Sequence, residues 1–244
     1  MDDTSAYDPL RTNEYTREIF QSMVEKETSL LLEEDFLKKT QTTGISGKDR
    51  ATLLNWLVGV HGRLSIPTES LWLMVSYFDH YLAKKKINPD HLLLVGGACL
   101  LLACKWEQQR PGIIDELIPS FKSCGDKFRA KCRCQNAYRA RGLDKDHKVP
   151  FCANCTKNAM MSIERDVWAK LDHSLNHPTA VVYIRRFSMA VQARDAARYM
   201  AFYFAELCFL DSTLNKYRQS RIAAACLSLA QQVTGKSGWS DTHQ

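Results

Sequence analysis

The sequence lacks the short motifs that mark many enzymes and membrane proteins. It has no glycine-rich phosphate loop, no G-x-S-x-G and no H-E-x-x-H, and its 7 histidines are scattered. The N-terminal stretch MDDTSAYDPL lacks the basic and then apolar pattern of a signal peptide. The most apolar run, Leu92–Cys104, is shorter than the roughly 20 residues that cross a bilayer. These absences predict a soluble intracellular protein that is not an enzyme.

The chain also has little charge imbalance outside one short segment. Residues 122–155 hold nine lysines or arginines and three acidic residues, which accounts for the whole net charge of +6. The remaining residues are neutral overall. A nucleic-acid-binding surface on the folded body is therefore not expected, because such a surface needs a basic face.

Two segments repeat at a constant offset of 127 residues. IAAACLSLAQQ, at 222–232, aligns with VGGACLLLACK, at 95–105, and the register continues upstream without a gap. Aligned aromatic pairs are Trp56 with Tyr183 and Trp72 with Tyr199. A register kept over such a length predicts two copies of one structural unit.

Hydrophobic periodicity predicts helices in both copies. The expected helices of the first copy are residues 49–64, 68–86, a third opening at Pro89 and Asp90, 112–121, and a fifth from Thr156. His177 and Pro178 end the fifth helix, and the second copy then completes only three helices. This shortening predicts that its third helix, Ile222–Val233, is partly uncovered and exposes apolar area.

The third helix is apolar nearly all round, which predicts a central helix ringed by others. Gly96 and Gly97 would let its neighbours approach closely, although each glycine costs about 1 kcal/mol of helix stability relative to alanine. Four cysteines of the two copies are expected to be small, reduced core residues: Cys99, Cys104, Cys208 and Cys226.

The motifs of the first copy resemble the cyclin box. They are R-A-x-L-x-x-W-L at 50–57, F-D-H-Y-L at 78–82, L-V-G at 94–96 and A-C-K-W-E at 103–107. The preceding stretch YTREIF, 15–20, resembles the N-terminal helix of A- and B-type cyclins, and R-R-F at 185–187 is nearest the B type. The resemblance covers 14–121 and 156–240.

The resemblance implies an all-α fold of tandem five-helix cyclin-box repeats. The second repeat is incomplete, and an N-terminal helix precedes the first. The expected domains are an N-terminal helix and lead-in at 1–48, a first cyclin box at 49–177 and a partial second cyclin box at 178–244.

The resemblance also implies a function. A cyclin of this kind binds and activates a cyclin-dependent serine/threonine kinase in G2/M control, in nucleus and cytoplasm, without a small-molecule substrate, a membrane or a cofactor. The positions that match the family's polar contact centre are Lys105 and Glu164. Tyr15, Ile19 and Phe20 would add apolar contacts to the kinase.

Other family roles also map onto this chain. Arg50 and Asp79 match an internal structural brace. Leu53 and Trp56 match a substrate-docking groove, but the chain departs from the family's groove pattern. Where the family has methionine, glutamine and an acidic residue, this chain has Asp49, Leu93 and Gly59. Docking of basic R-x-L peptides is therefore in doubt.

The segment at about 122–155 has no counterpart in the family and allows two interpretations. Its cysteines form two pairs, Cys132 with Cys134 and Cys152 with Cys155. Four thiolates at this spacing could hold tetrahedral zinc, with His147 or Cys124 as a substitute ligand. The other interpretation is a solvated loop with reduced thiols, whose positive charge could attract acidic surfaces or nucleic acid.

Two further functions share the predicted fold. One is an inactive decoy that occupies the kinase without activating it, because the second repeat is short or the segment before Glu164 obstructs the interface. The other is a cyclin-fold general transcription factor, which would need a basic groove on the repeats.

Overall fold

A computed structural model describes residues 15–42, 44–108, 112–122 and 157–235, and no strand occurs within these ranges. The α-helices, in chain order, are α1 Thr16–Ser29, α2 Phe36–Thr40, α3 Gly47–Arg63, α4 Thr68–Lys84, α5 Leu92–Gln108, α6 Ile113–Lys122, α7 Lys157–Lys170, α8 Ala180–Ala190, α9 Asp195–Leu210 and α10 Gln219–Val233. Short 3-10 turns at Pro89–His91 and Ser212–Lys216 precede α5 and α10. The prediction of an all-helical fold is confirmed.

The helices form two compact units, which are described separately. One unit is Asp35–Leu175 and contains α2 to α7. The other combines the chain up to Glu34 with the chain from Asn176 onward, so that α1 belongs with α8, α9 and α10. Below, α3 to α7 are called the first repeat and α8 to α10 the second repeat.

The first repeat begins at a helix cap that is encoded locally. Ser46 accepts a hydrogen bond at Oγ from the Asp49 backbone N–H, at 3.2 Å, and its own N–H donates to Asp49 Oδ2, at 3.1 Å. This reciprocal capping box satisfies backbone donors that the first turn leaves free. The start of α4 is also marked locally. Pro67 precedes the helix, and Glu69 places an acidic side chain in its first turn.

Helix α5 is the central rod of the first repeat. It packs against α3, α4, α6 and α7. Leu92 and the whole run Leu94–Cys104, including its two glycines, are buried. A Cβ atom at Gly96 would lie 2.9 Å from Leu53 Cδ2, and one at Gly97 would lie 2.7 Å from Phe121. The glycines therefore permit the close approach of α3 and α6, as the sequence predicted.

The stretch Pro89–Glu107 is long and apolar enough to span a membrane by length and composition alone. Its most apolar window is 67% buried inside the protein. The neighbouring helices thus already cover most of the surface that lipid would contact, which is typical of a core helix.

Helix α1 is fastened to the second repeat by a buried carboxylate. Glu27 accepts hydrogen bonds from the Ser220 backbone N–H, at 3.0 Å, and from Ser220 Oγ, at 2.7 Å. Ser220 lies in the first turn of α10, where free N–H groups and the helix dipole favour a negative charge. Glu27 on α1 thereby caps a helix that is almost 200 residues away in sequence.

The second repeat exposes large apolar side chains on α9 and α10. They are Tyr199, Tyr203, Leu207, Leu229 and Val233. Because Leu229 and Val233 lie on the central helix of this repeat, the prediction that this helix is partly uncovered is confirmed within the described residues.

Candidate functional site

An ion pair lies where α5 ends and α7 passes it. Lys105 Nζ is 2.7 Å from Glu164 Oε1 and donates to Oε2 at 2.8 Å, although the two residues are 59 positions apart in sequence. The Glu164 side chain is only 9% exposed, whereas that of Lys105 is 41% exposed. A buried carboxylate thus holds an ammonium group that still reaches solvent.

Three large apolar side chains that are close to Lys105 or Glu164 in sequence are exposed to solvent. Trp106 follows Lys105 on α5, while Met161 and Trp168 stand three residues before and four residues after Glu164 on α7. Met161 and Trp168 are therefore neighbours of Glu164 on α7, because residues three and four apart in a helix lie next to each other. The pair together with Trp106, Met161 and Trp168 is called the Lys105 surface.

Helix α7 is held in place by contacts with α4. Tyr81 donates from its hydroxyl to Asp166 Oδ2, at 2.5 Å, and Lys85 Nζ donates to the same oxygen, at 2.7 Å. Burial alone would raise the pKa of Asp166, but the hydrogen bonds from Lys85 and Tyr81 outweigh it and leave that pKa below its usual value. These contacts fix the helix that presents Glu164.

Arg50 and Asp79 form a bidentate pair inside the first repeat. Arg50 Nε donates to Asp79 Oδ1 and Nη2 to Oδ2, each at 2.6 Å, and both side chains are almost fully buried. Two parallel charge-assisted hydrogen bonds are the strongest form of this contact. The geometry is that of a brace between α3 and α4, the role that the resemblance implied.

The apolar residues expected on α1 have different environments. Tyr15 and Ile19 are exposed. Phe20 instead packs edge-on against Tyr183 and Phe187, with ring centroids 6.0 and 6.5 Å apart. Tyr15 and Ile19 therefore remain available to a partner, while Phe20 mainly anchors α1 to α8.

The two residues expected in the substrate-docking groove differ in their exposure to solvent. Leu53 is fully buried against Gly96 and offers no surface to a docked peptide, so its placement in a groove is wrong for this structure. Trp56 is half-buried and packs edge-on against Phe121 at 4.9 Å. Of the two, only Trp56 presents any surface.

The zinc hypothesis falls outside the described residues. Cys132, Cys134, Cys152 and Cys155 all lie in the stretch 123–156, as do Cys124 and His147. Among the residues that the structure describes, no three histidines, cysteines or carboxylates form a group that could hold a metal ion. Zinc binding by this segment remains a prediction.

Comparison with known proteins identifies the fold family. The family model described as "Cyclin, N-terminal domain" matches residues 18–176, and "Cyclin, C-terminal domain" matches 178–244. The chain belongs to the cyclin family. Cyclins are a regulatory family rather than a catalytic one.

Several curated relatives of this cyclin are B-type. Cyclin-B2-1 of Oryza sativa subsp. japonica is 27% identical over 243 residues, covering 99% of this chain and 50% of the relative. G2/mitotic-specific cyclin-B of Dictyostelium discoideum is 29% identical over 238 residues, covering 98% and 47%. The chain thus spans about half the length of the curated relatives it matches.

Solved structures agree with this fold. A viral cyclin from herpesvirus saimiri superposes with a TM-score of 0.64 at 16% identity, covering 90% of this cyclin and 83% of that chain. A chain of the yeast RNA Pol II CTD kinase CTDK-1 complex gives the same TM-score and identity over 86% of this cyclin and 64% of that chain. At this identity the likeness shows the fold alone.

Sequence reasoning missed the apolar part of the Lys105 surface. Met160 and Met161 are adjacent, yet Met160 is buried and Met161 is exposed. The signal was present, because Glu164 lies between two stripes of α7, with buried Met160 and Val167 on one side and exposed Met161 and Trp168 on the other. Reading the polar and apolar faces of α7 together would have found it.

Proposed function

We propose that this cyclin binds a cyclin-dependent serine/threonine kinase through the Lys105 surface and activates it in G2/M control. The observation that carries the proposal is the Lys105–Glu164 pair, which presents an oriented ammonium group, with exposed Trp106, Met161 and Trp168 close to the pair in sequence. The family membership and the B-type relatives support the kinase class and the stage.

The charge arrangement favours a partner with acceptor groups. The carboxylate of Glu164 is nearly buried and already engaged, so the group offered outward is the Lys105 ammonium. Lysine has three N–H donors, and the pair with Glu164 leaves donor capacity for carbonyl or carboxylate oxygens of a partner. An orienting carboxylate also reduces the side-chain freedom that Lys105 would lose on binding.

The apolar residues around the pair supply buried area. Trp106 and Trp168 are each close to half exposed, and Met161 is slightly less exposed. Tryptophan is strongly enriched among residues that dominate protein interfaces, and methionine adapts to irregular partner surfaces. A central charge surrounded by such residues is the composition expected of an interface that excludes water.

Activation would follow from where the kinase is held. A protein kinase is active only when its conserved Lys–Glu ion pair is closed and its activation loop is ordered. A rigid helical platform that binds the kinase in that state shifts its population toward it. Helix α7, fastened to α4 through Asp166, provides such rigidity at the proposed contact.

The proposal is tested with the purified 244-residue chain and a panel of purified cyclin-dependent kinases. We expect at least one kinase to bind in a pull-down and to phosphorylate a histone-type substrate far faster than the kinase alone. K105E should weaken binding at least about tenfold, because it places two carboxylates together in an interface that loses water. E164K should weaken binding to a similar extent, because it places two ammonium groups together.

Lys84 provides a matched control. It is 44% exposed and pairs with Asp172 at 2.6 Å, so K84E removes an ion pair that includes neither Lys105 nor Glu164. We expect K84E to bind normally. Equal losses for K84E and K105E, or full activation by the double variant K105E/E164K, would contradict the proposal. Binding without any gain in kinase activity would instead indicate the decoy function.

A further inference from the structure

Two thiols of the second repeat face each other across α9 and α10. Cys208 Sγ lies 3.9 Å from Cys226 Sγ, a hydrogen-bond distance for sulfur, and neither cysteine is in a disulfide. Buried alanines stand at helical spacings of three, four or seven residues from the two thiols: Ala201 and Ala205 on α9, and Ala223 and Ala230 on α10. Such small residues let helix backbones approach closely, which brings the thiols within reach of each other.

The two thiols have unlike environments. Cys208 is only partly buried and lies on α9, which also exposes Leu207. Cys226 is buried on the central helix. The hydrogen bond with Cys226 lowers the pKa of Cys208, and the same bond together with burial raises the pKa of Cys226. Cys208 is therefore the accessible nucleophile and Cys226 the resolving thiol.

The first repeat shows that the pair is not required by the fold. At the 127-residue offset, Cys226 corresponds to Cys99 and Cys208 corresponds to Tyr81. Tyr81 is almost fully buried and donates its hydroxyl to Asp166 on α7. In the first repeat, where α7 packs on α4, this position is a tyrosine. In the second repeat, where α9 is exposed to solvent, the equivalent position is Cys208, which has a second thiol beside it.

We propose that Cys208 and Cys226 form a peroxide-sensitive pair that closes to a disulfide and staples α9 to α10. The Cys208 thiolate attacks one oxygen of hydrogen peroxide, forming a sulfenic acid as hydroxide leaves and takes up a proton. The Cys226 thiol then attacks that sulfur, its proton goes to the departing hydroxyl, and water is released. Overall, two thiols and one peroxide give one disulfide and two waters.

The closure needs only small movements. A disulfide requires an S–S distance of about 2.05 Å, so the sulfurs must approach by about 1.9 Å. Rotation about the side-chain bonds and a slight shift of α10 can supply this, because α10 is not covered on the side of Leu229 and Val233. The cross-link would restrict the unfolded chain and so stabilise the second repeat.

Peptide mapping gives a direct test. The reduced 244-residue chain is treated with a stepwise excess of hydrogen peroxide, alkylated and digested with trypsin. Cleavage after Arg198, Lys216, Arg221 and Lys236 separates the two cysteines into peptides 199–216 and 222–236. We expect these two peptides to appear as a linked pair that has lost two hydrogen atoms and separates again with dithiothreitol.

Internal and variant controls make the result decisive. Cys99 is fully buried, so it should stay reduced until the peroxide dose is far higher. In C226S the sulfenic acid of Cys208 should persist and be trapped by dimedone, which reports the first step even without the link. The same treatment in urea should give mixed pairings that include the cysteines of 122–155.

Three outcomes would overturn the proposal. They are an unmodified Cys208 in the native chain, its direct conversion to sulfinic acid without the linked pair, and a linked yield no greater in the native chain than in urea. A linked pair that leaves the unfolding temperature of the second repeat unchanged would overturn the stapling effect. This inference does not depend on kinase binding, because the test uses the cyclin alone.

Discussion

The central helices α5 and α10 carry the same pattern but have different surroundings. Leu102 on α5 is 6% exposed, whereas its counterpart Leu229 on α10 is 47% exposed. Trp72 on α4 is 4% exposed and its counterpart Tyr199 on α9 is 65% exposed. The first repeat has α6 and α7 packed on its central helix. Burial of an apolar helix therefore depends on the helices packed against it, and not on the helix itself.

The buried polar groups also differ between the two repeats. The brace of the first repeat joins Arg50 to Asp79, and the counterparts at the 127-residue offset are His177 and Glu206. Burial raises the pKa of Glu206, as expected for a carboxyl that lacks a guanidinium close by. The first repeat is thus tied by a bidentate buried ion pair, whereas burial dominates the environment of the equivalent carboxyl in the second repeat.

The largest predicted effect comes from breaking that brace. D79N would remove the carboxylate that accepts two hydrogen bonds from the buried Arg50 guanidinium, and we expect a loss of about 3–5 kcal/mol in the free energy of unfolding. E206Q replaces the equivalent carboxyl by a neutral amide and should change stability by less than about 0.5 kcal/mol. Urea unfolding, with hydrogen exchange of peptides from each repeat, measures both. Similar losses for the two variants would contradict the contrast.

The next effect concerns burial of the central helices. L102A should destabilise the first repeat by about 2–5 kcal/mol, because it removes a buried side chain and leaves a cavity in the core. L229A removes the same atoms from a half-exposed position and should cost about 1 kcal/mol or less. Urea midpoints of the two variants check the difference, and a larger loss for L229A would show that α10 is covered in solution.

A smaller effect on stability is expected when the glycine of one central helix and the equivalent alanine of the other are exchanged. G97A gains helix propensity but forces a methyl group against Phe121, and we expect a net loss of about 1–2 kcal/mol. The counterpart is Ala224, where A224G should instead cost about 1 kcal/mol through lost propensity. G62A on α3 is the control, because no atom lies within 4 Å of the added Cβ. Thermal unfolding of G62A should show no loss.

The smallest effect is the pH dependence of the contact that holds α7. The pKa of Asp166 lies below 3.8 in the folded protein, so its stabilising contribution is present above pH 3.8 and is lost as pH falls through the folded pKa. We expect D166N to lower stability at neutral pH by less than about 1 kcal/mol and to flatten the acid slope. Urea midpoints between pH 2 and pH 6 measure it. Lys84 also lowers the pKa of Asp172, but that carboxylate is 81% exposed and screened by solvent, so D172N should flatten the slope less than D166N does.

Much of the fold followed from local sequence patterns. Helix α4 was expected at residues 68–86 and forms at Thr68–Lys84, and the fourth helix of the first repeat forms at Ile113–Lys122. Helix α2, Phe36–Thr40, was not predicted, because five residues show no helical period. Its formation depends on Phe36 and Leu37 being buried against α4, which is a tertiary effect.

The candidate site was less accessible to sequence reasoning. The family resemblance, and not any periodicity, pointed to Lys105 and Glu164 together. Periodicity predicted a helix from Thr156 but did not show that Met161 and Trp168 on that helix would be exposed near an ion pair. The groove role of Leu53 failed for a related reason, since the close approach to Gly96 that buries Leu53 can only be seen in the packed structure.

By itself, the sequence determined the helices, their duplication at a constant offset and the small residues that make α5 a central rod. These features arise from the local spacing of apolar side chains, which repeats within a few turns of a helix. The tertiary structure decided which distant groups meet: Lys105 with Glu164, Glu27 with Ser220, and Cys208 with Cys226. Such pairs depend on how whole helices pack, because contacts between residues far apart in the chain are set by the shapes of both helix surfaces.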